Sequence, residues 1–227
     1  MKNNNAVILL SAGLDSLVAL DYCVKNREYN VELALTFNYG QKAAKQELEK
    51  SKKICEYYNI EHKIIELDWL KEITKTSLVS DTAIPTDSLH TEESAKAVWV
   101  PNRNALFLNI AASFCDSYGY KYIIYGANKE EGQTFPDNTE YFRTEITNLF
   151  KTSTLVKPKV ITPLINYNKD DIVKIAVANK APLELVWSCY TSGDRHCGLC
   201  ESCNNLKKAL IANQEYKYID ILFRNEN

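Results

Sequence analysis

The sequence predicts an α/β fold in which a mostly parallel sheet is flanked by helices and followed by a small C-terminal subdomain. Short apolar runs alternate with longer segments of helical periodicity, which is typical of strands joined by crossover helices. Four cysteines then cluster near the C-terminus. In such a fold, ligand sites lie at the C-terminal ends of the strands.

The elements are predicted in chain order. The predicted strands are 6–10, 31–37, 62–67, 121–125 and 160–163. The predicted helices are 15–24, 42–58, 104–118, 137–150, 169–179 and 204–213. Residues 74–97 are polar and predict an irregular excursion or lid. We predict an α/β domain over 1–186 and a metal-binding subdomain over 187–227.

Composition limits the class of protein. A chain of 227 residues suits one α/β domain with a small appendage, and 45% hydrophobic and 25% charged residues allow a packed core. The net charge of -2 gives no global basic field, so nucleic acid is not expected as the main partner. The sequence shows no signal peptide and no apolar stretch long enough for a membrane span, so we expect a cytoplasmic protein. A homodimer is one oligomeric state that the sequence leaves open.

The most informative stretch is the turn Ser11–Ser16, which follows the apolar run at 6–10. The turn joins a predicted strand to the first turn of a predicted helix. Backbone N–H groups and the positive end of the helix dipole point into such a turn, which makes it a phosphate-binding site. Ser11 and Ser16 add hydroxyl donors, and Asp15 is a candidate ligand for a magnesium ion on a nucleotide. These three side chains are the catalytic candidates.

The turn also has a plainer interpretation, because serine and glycine often cap helices without binding a ligand. Its place after the first strand of an α/β pattern favours nucleotide binding. It contains neither the Walker motif G-x-x-x-x-G-K-[ST] nor the dinucleotide motif G-x-G-x-x-G. It resembles instead the S-G-G-x-D-S loop of the N-type ATP pyrophosphatases, the PP-loop enzymes. These split ATP between the α and β phosphates and adenylate a substrate oxygen.

A cysteine cluster with the spacing C-x7-C-x2-C-x2-C is formed by Cys189, Cys197, Cys200 and Cys203. In a reducing compartment this spacing favours one tetrahedral zinc ion held by four thiolates. An iron–sulfur cluster is the main alternative, since C-x2-C-x2-C also occurs in ferredoxins. A closed four-cysteine site has no open position, so we predict a structural metal. The remaining cysteines lie in apolar helical contexts and are predicted to be inert core residues: Cys23, Cys55 and Cys115.

The loop and the cysteine cluster together resemble the 7-cyano-7-deazaguanine synthase family, the nitrile-forming enzymes of queuosine precursor synthesis. Other segments resemble that family's motifs in the same order: Asn38–Gln41 (x-Y-x-Q-R-H), Val100–Asn104 (V-P-G-R-N), Gly126–Phe142 (G-x-x-x-x-D-x-S-G-Y-P-D-C-R-x-E-F), Thr162–Leu164 with Lys169 (T-P-L then N/S-K) and Trp187–Tyr190 ([TW]-[ST]-C-Y). The resemblance covers nearly the whole chain and implies a Rossmann-like fold of the adenine nucleotide alpha hydrolase type.

The resemblance implies an ATP-dependent ligase that converts 7-carboxy-7-deazaguanine and ammonia to the nitrile through an adenylated intermediate. ATP with Mg²⁺ and a structural Zn²⁺ are the implied cofactors. The implied nucleotide-binding residues are Leu10, Ser11, Ala12, Gly13, Leu14, Asp15, Ser16, Leu17 and Phe37. The implied substrate-binding residues are Trp99, Arg103, Glu131, Asp137 and Arg143. Alternative roles are a helix N-cap for Asp137, a surface or helix-start position for Arg103, and core packing for Trp99.

The chain departs from the family pattern at several positions. The first loop glycine is Ala12, where a positive φ would cost about 1 kcal/mol or more, and we expect the loop to tolerate a Cβ there. Asn138 and Thr139 replace a cysteine and an arginine beside the predicted substrate pocket. Arginine is the natural bidentate partner of a carboxylate, and we expect Arg143, one helical turn away, to compensate.

The departures at Asn138 and Thr139 affect the predicted sites of the substrate and the nucleophile rather than positions predicted to bind ATP. One alternative function is therefore a divergent ligase that stops at the amide or joins the activated deazaguanine to another amine, even on a protein. A second is a PP-loop tRNA thiolase, which would need a reactive cysteine and a basic RNA-binding face. A third is a non-catalytic interaction module, which the intact Ser11, Gly13, Asp15 and Ser16 argue against.

Overall fold

The structure is a computed structural model that describes residues 4–87 and 89–224. The ends of both predicted domains (1–3 and 225–227) and one position of the predicted lid (88) lie outside the described residues. The strands are β1 (Asn5–Leu9), β2 (Asn30–Asn38), β3 (Glu61–Glu66), β4 (Tyr122–Ile124) and β5 (Lys159–Ile161). The helices are α1 (Leu14–Asn26), α2 (Ala44–Tyr58), α3 (Asp68–Ile73), α4 (Glu92–Val98), α5 (Arg103–Tyr118), α6 (Glu131–Thr134), α7 (Glu140–Ser153), α8 (Lys169–Asn179), α9 (Glu201–Ala212) and α10 (Tyr216–Leu222).

The five strands form one sheet in the order β3-β2-β1-β4-β5, and every neighbouring pair is parallel. The order reverses at β1, because the chain moves outward first to β3 and then returns to β4 on the other side. A crevice opens at such a reversal, beyond the C-terminal ends of the strands. The α/β prediction is confirmed, and the sheet is parallel throughout its described strands.

Both faces of the sheet are buried. Ala6 and Ile8 of β1 belong to a core with α1, α8 and α9, whereas Val7 between them belongs to a second core with α5. The alternation follows from the two-residue period of a strand. Burial on both sides explains why the strand is an unbroken apolar run.

The C-terminal cysteine segment packs directly on the α/β part of the chain. Leu206, Ala209 and Leu210 of α9 share one hydrophobic cluster with Leu17 of α1 and Ile172 of α8. The segment therefore extends the main core. We call residues 187–224, which include the four cysteines, the cysteine lobe.

Three local predictions need correction. The helix predicted from 137 begins at Glu140, because Pro136–Asn138 form a 3-10 turn and the Thr139 hydroxyl caps the helix by accepting from the backbone N–H of Phe142 at 3.1 Å. Asp137 is therefore not the helix cap. The region predicted as irregular over 74–97 contains most of α4, whose capping box is formed by Thr91 and Ser94. The short helices α3 and α10 were not predicted, since six or seven residues show too little periodicity.

Across residues 4–87 and 89–224, none of the helices has the length and apolar character needed to cross a membrane.

Candidate active site

A cleft of about 290 Å³ opens at the C-terminal ends of β1, β2 and β4, where the strand order reverses. Twelve of the predicted site residues line it: Leu10, Ser11, Gly13, Leu14, Asp15, Ser16, Phe37, Trp99, Arg103, Glu131, Asp137 and Cys189. Ala12 and Leu17 are fully buried behind the loop. The structure thus brings segments that are far apart in the sequence to one cleft.

The turn Ser11–Ser16, which we call the phosphate loop, is held by its own hydroxyl groups. The Ser16 hydroxyl donates to the carbonyl of Gly13 at 3.0 Å and lies 3.3 Å from the Ser11 hydroxyl. Gly13 occupies the N-cap position of α1 and, as a glycine, has no side chain that could cap the helix. The first turn of α1 therefore presents backbone N–H groups and the positive helix end to the cleft, an arrangement suited to an anion.

Ala12 adopts the left-handed conformation, with a φ of 58°. Our expectation that the loop tolerates a Cβ at this position holds for the packing, because the Ala12 side chain is fully buried within the core. The backbone still uses the conformation that glycine prefers, at a cost of roughly 1–2 kcal/mol for alanine. The surrounding contacts must hold the loop in this shape.

Gly126 at the end of β4 allows β4 to approach the phosphate loop. A Cβ at this position would lie 2.7 Å from the carbonyl carbon of Asp15 and 2.7 Å from the nitrogen of Ser16. Both contacts are with backbone atoms, so neither can move aside cheaply. Any larger residue at 126 would displace the start of α1 from the cleft.

Lys169, the first residue of α8, lies between two carboxylates. Its Nζ forms a close ion pair with Asp15 and a second one, at 2.9 Å, with Glu131. The side chain of Lys169 is only 13% exposed. Burial opposes the charge of Lys169, but the two carboxylates outweigh burial and raise its pKa. A permanent positive charge therefore lies beside the uncapped helix end.

The two carboxylates respond differently to this lysine. Burial raises the pKa of Asp15 to about 6 despite the opposing effect of Lys169, whereas Lys169 outweighs burial at Glu131 and holds its pKa below the usual value. The Oδ1 atom of Asp15 is buried without a hydrogen-bond partner. The amide of Asn128 accepts from the backbone N–H groups of Glu130 and Glu131, each at 3.0 Å, while its Nδ2 is also without a partner of normal geometry. The unpaired Oδ1 of Asp15, a residue that lines the cleft, fits a site that binds a polar ligand.

The opposite end of the cleft carries a second, partly buried positive charge, on Arg103 at the start of α5. Its guanidinium donates to the hydroxyl of Tyr39 at 3.3 Å. Burial opposes the charge, but Tyr39, Asp137 and Glu47 together outweigh it and raise the pKa of Arg103. Burial raises the pKa values of Asp137 and Glu47. The Glu47 carboxylate is held by the amide of Gln41 at 2.7 Å.

Residues 135–139 form a wall at this end of the cleft. The wall contacts Tyr125, which follows β4, and Trp99, which follows α4. The Tyr125 hydroxyl donates to the carbonyl of Asp137 at 2.6 Å, and the Asn138 amide donates to the Asp137 carboxylate at 3.0 Å. The rings of Trp99 and Phe135 stack with centroids 5.5 Å apart at 13°. In the described structure the two rings pack on each other at the edge of the cleft.

Arg143 does not line the cleft. Its guanidinium forms a two-point contact with Glu140 and donates to the carbonyl of Val160 at 3.3 Å. The expected compensation for the arginine missing at Thr139 is therefore not built into the arrangement that the structure describes. The cation that lines the α5 end of the cleft is Arg103.

The four predicted cysteines converge. Their Sγ atoms all lie within 4.8 Å of one another, and Cys189, Cys200 and Cys203 are buried. The backbone N–H groups of Leu199 and Cys200 both donate to the Cys197 sulfur at 3.4 Å, which favours its thiolate form. This donor set could hold one metal ion and offers no open position from protein ligands.

Comparison with known proteins connects this geometry to a family. A family model described as "Queuosine biosynthesis protein QueC" matches residues 5–214. This chain belongs to the QueC family. Relatives named 7-cyano-7-deazaguanine synthase include those of Carboxydothermus hydrogenoformans, 51% identical over 90% of this chain and 97% of the relative, and Methanosarcina mazei, 49% identical over 87% and 90%. The relative from Bdellovibrio bacteriovorus is 46% identical over 96% and 98%.

Among solved structures, the chain is similar to the U34-tRNA thiolase NcsA from Methanococcus maripaludis with its [4Fe-4S] cluster. The TM-score is 0.52 at 17% identity, over 98% of this chain and 71% of that one. At this identity the likeness shows the fold alone, which is the predicted PP-loop type of α/β fold. The QueC family uses ATP, and its members are enzymes.

Among the cleft-lining residues that sequence reasoning left out of the predicted sites are Lys169 and Glu47, and it also left out Asn128, which lies behind the cleft and accepts from the backbone of Glu131. Lys169 carried a signal, since it falls in the T-P-L…K resemblance, but nothing in the sequence placed it against the phosphate loop. Glu47 lies in a helix rich in Lys and Glu, where a functional carboxylate resembles its solvated neighbours.

Proposed function

We propose that this QueC-family chain converts 7-carboxy-7-deazaguanine and ammonia to 7-cyano-7-deazaguanine at the expense of ATP. The observation that carries the proposal is the placement of Asp15, Lys169 and Glu131 at the start of α1, in one cleft with a partly buried Arg103. One end suits a polyphosphate and the other suits a carboxylate. The relatives' names supply the identity of the product, 7-cyano-7-deazaguanine.

The chemistry requires two activations. The substrate carboxylate attacks the α phosphate of ATP, which forms the acyl adenylate and releases pyrophosphate. Ammonia then displaces AMP and gives the amide. The amide oxygen is adenylated by a second ATP, and departure of AMP with loss of the remaining N–H protons leaves the nitrile. The protein contributes mainly positioning and charge stabilisation in these steps.

The residues have distinct roles in this scheme. The α1 N-terminus with Ser11 and Ser16 binds the departing pyrophosphate, and Lys169 stabilises the charge that develops there. Arg103 holds the substrate carboxylate, and its partly buried position makes that contact stronger than one in water. The backbone at Leu10 and Phe37 borders the place of the adenosine.

The unpartnered Oδ1 of Asp15 fits a magnesium ligand, because a buried carboxylate oxygen with no donor is a poor arrangement unless a cation occupies it. Magnesium bound there would neutralise phosphate charge. We infer that the metal of the cysteine lobe is zinc, because four thiolates with no open protein position form a closed tetrahedral site with a structural role.

We expect the protein to act in the cytoplasm, where a reducing environment keeps the four ligand cysteines and the three buried free ones as thiols. Its partners are then small molecules rather than nucleic acid, in line with the net charge of -2. Sedimentation of the purified chain distinguishes a monomer from the homodimer that the sequence left open.

A second candidate is a ligase that stops at the amide or uses another amine. It is favoured by the wall of the cleft that residues 135–139 form. Thr139 caps α7 and Asn138 bonds to Asp137, so neither supplies the cation or the thiol that the family pattern has there. Substrate binding at this wall must therefore differ from that pattern.

The test uses purified protein with ATP, magnesium, ¹⁵N-labelled ammonia and 7-carboxy-7-deazaguanine, with products identified by mass spectrometry. We expect a nitrile that carries one ¹⁵N, formed with two AMP per product. Amide as the end product, or AMP formation without either product, identifies the divergent ligase. An Asp15→Asn variant serves as the control for contaminating activity.

A further inference from the structure

His196 lies in the cysteine lobe, directly before one of the four cysteines in the sequence. It is fully buried. Its ring packs between Trp187 and Phe223, with centroid distances of 4.7 Å and 5.0 Å. The Nε2 atom lies 2.9 Å from the backbone nitrogen of Ser188, and Nδ1 lies 3.0 Å from the carbonyl of Leu222. Both ring nitrogens are therefore engaged, and neither is free for a metal.

The partners fix the tautomer of this ring. A backbone N–H only donates, so Nε2 must accept and carries no proton. A carbonyl only accepts, so Nδ1 carries the proton and donates to Leu222. The neutral imidazole thus cross-links Ser188, at the cleft, to the end of α10. A second bond, from the backbone N–H of His196 to the same carbonyl at 2.8 Å, strengthens this anchor.

The segment that His196 holds is bonded to the phosphate loop on both sides of Gly13. The backbone N–H of Trp187 donates to the carbonyl of Ala12 at 2.8 Å, and the Ser188 hydroxyl accepts from the backbone N–H of Leu14 at 3.5 Å. The first of these bonds falls on the residue with the unfavourable positive φ. A loop in such a conformation depends on contacts from outside itself.

We propose that His196 is a positioning residue for the nucleotide site, which transmits the order of the cysteine lobe to the phosphate loop through Trp187 and Ser188. This rests on the proposed function only in that the loop binds ATP. The lobe thereby sets the shape of the loop through residues that are not themselves metal ligands. Without the cross-link, the segment keeps its metal but loses its fixed position against Ala12 and Leu14.

Two substitutions of similar size separate this role from packing. His196→Leu fills the space but leaves the Ser188 N–H without an acceptor, whereas His196→Gln can both accept from Ser188 and donate to Leu222. The matched control is Arg195→Ala. Arg195 donates to the carbonyls of Asp220 and Phe223 at 2.8 Å and 3.2 Å, and so contacts the C-terminal segment without contacting residues 187–188.

The full-length, metal-loaded proteins are compared by metal content, by amide hydrogen exchange of peptides covering residues 9–17, and by calorimetric affinity for a non-hydrolysable ATP analogue. For His196→Leu we expect full metal content, faster exchange in the loop and roughly tenfold weaker binding of the analogue, as for a buried donor left unpaired. His196→Gln should stay within about threefold of the wild type. Arg195→Ala should match the wild type.

Unchanged loop exchange in His196→Leu overturns the proposal. So does loss of metal in that variant, since the histidine would then act through the metal site. If His196→Leu does not fold, Ser188→Ala replaces it, and unchanged exchange at the Leu14 amide overturns the link. Failure of the wild type to bind the analogue contradicts the proposed function instead, while the exchange data still test the cross-link.

Discussion

At the α1 end of the cleft a ligand meets backbone N–H groups and a helix terminus as well as the side chains of Asp15 and Lys169, whereas at the α5 end it meets side chains such as Arg103 and Asp137. The backbone part of the α1 end depends on the path of the chain rather than on side-chain identity, and Ala12 in a glycine conformation illustrates this. A site built from side chains changes its chemistry with each substitution, as at Asn138 and Thr139. We therefore expect departures from the family pattern to alter the α5 end more readily than the backbone part of the α1 end.

The cysteine lobe contacts both the phosphate loop and the lid region. Trp187 bonds to the phosphate loop, and Glu201 of α9 accepts from the Ser94 hydroxyl of the lid region at 3.3 Å. We expect Cys200→Ser to have the largest effect, because binding of a structural metal supplies folding free energy. The variant should lose its metal and its cooperative thermal transition, as measured by elemental analysis and calorimetry. Cys55→Ser, at a buried cysteine outside the cluster, is the control that should keep the metal. A folded, active Cys200→Ser protein would contradict the structural role.

Lys169→Ala should be the most damaging single change at the α1 end. It removes the cation that faces Asp15 and Glu131, where charge develops on the pyrophosphate. We expect turnover, measured as pyrophosphate release, to fall at least about a hundredfold, with similar losses for Asp15→Asn and Ser16→Ala. The control is Lys174→Ala, an exposed lysine on the same helix. Near-normal turnover in Lys169→Ala, Asp15→Asn and Ser16→Ala would remove the loop from the mechanism.

Arg103→Gln should weaken binding at the α5 end of the cleft much more than binding at the α1 end. Loss of a buried charge-assisted contact raises the KM for the deazaguanine acid by roughly tenfold or more. The KM for ATP should change much less, because the phosphate loop is untouched. Steady-state kinetics with each substrate varied in turn provide the measurement. An equal rise in both values would mean that the two ends do not act independently.

The contrast between the ends also shows what the sequence can reveal. The loop was predictable because a strand, a small-residue turn and a helix are local features, and the cysteine spacing is local in the same way. The ion pair between Lys169 and Asp15 joins residues far apart in the chain, and it exists only because α1 and α8 pack against each other in the fold.

The position of Arg143 outside the cleft shows the same limit of local patterns. Helical spacing correctly put Arg143 one turn from Thr139, but spacing does not say which partner a flexible side chain selects. Glu140, three residues away on the same helix, takes the guanidinium. Likewise, Asp137 as a helix cap was a reasonable local prediction, which failed because Pro136 starts a 3-10 turn and moves the cap to Thr139.

Acidity should affect the α1 end in a way that depends on Asp15. Its pKa is raised to about 6, so the carboxylate is ionised at pH 7.5 and mostly protonated at pH 5.5. Protonation removes the ligand for magnesium, and the affinity for the magnesium complex of an ATP analogue should fall about fourfold between these pH values from this group alone. Asp15→Asn provides the baseline for the titration of the nucleotide itself. An identical pH profile in the variant would show that Asp15 does not titrate in this range.

Arg143→Ala should have the smallest effect and tests whether the α5 end relies on Arg103 alone. Because the guanidinium contacts Glu140 and Val160 outside the cleft, we expect the KM for the deazaguanine acid to stay within about twofold of the wild type. The loss of a largely exposed ion pair should lower the free energy of unfolding by no more than about 1 kcal/mol, measured by denaturant titration. A tenfold rise in KM would instead show that Arg143 leaves Glu140 and turns into the cleft when substrate binds, and would restore it as the replacement for the arginine absent at Thr139.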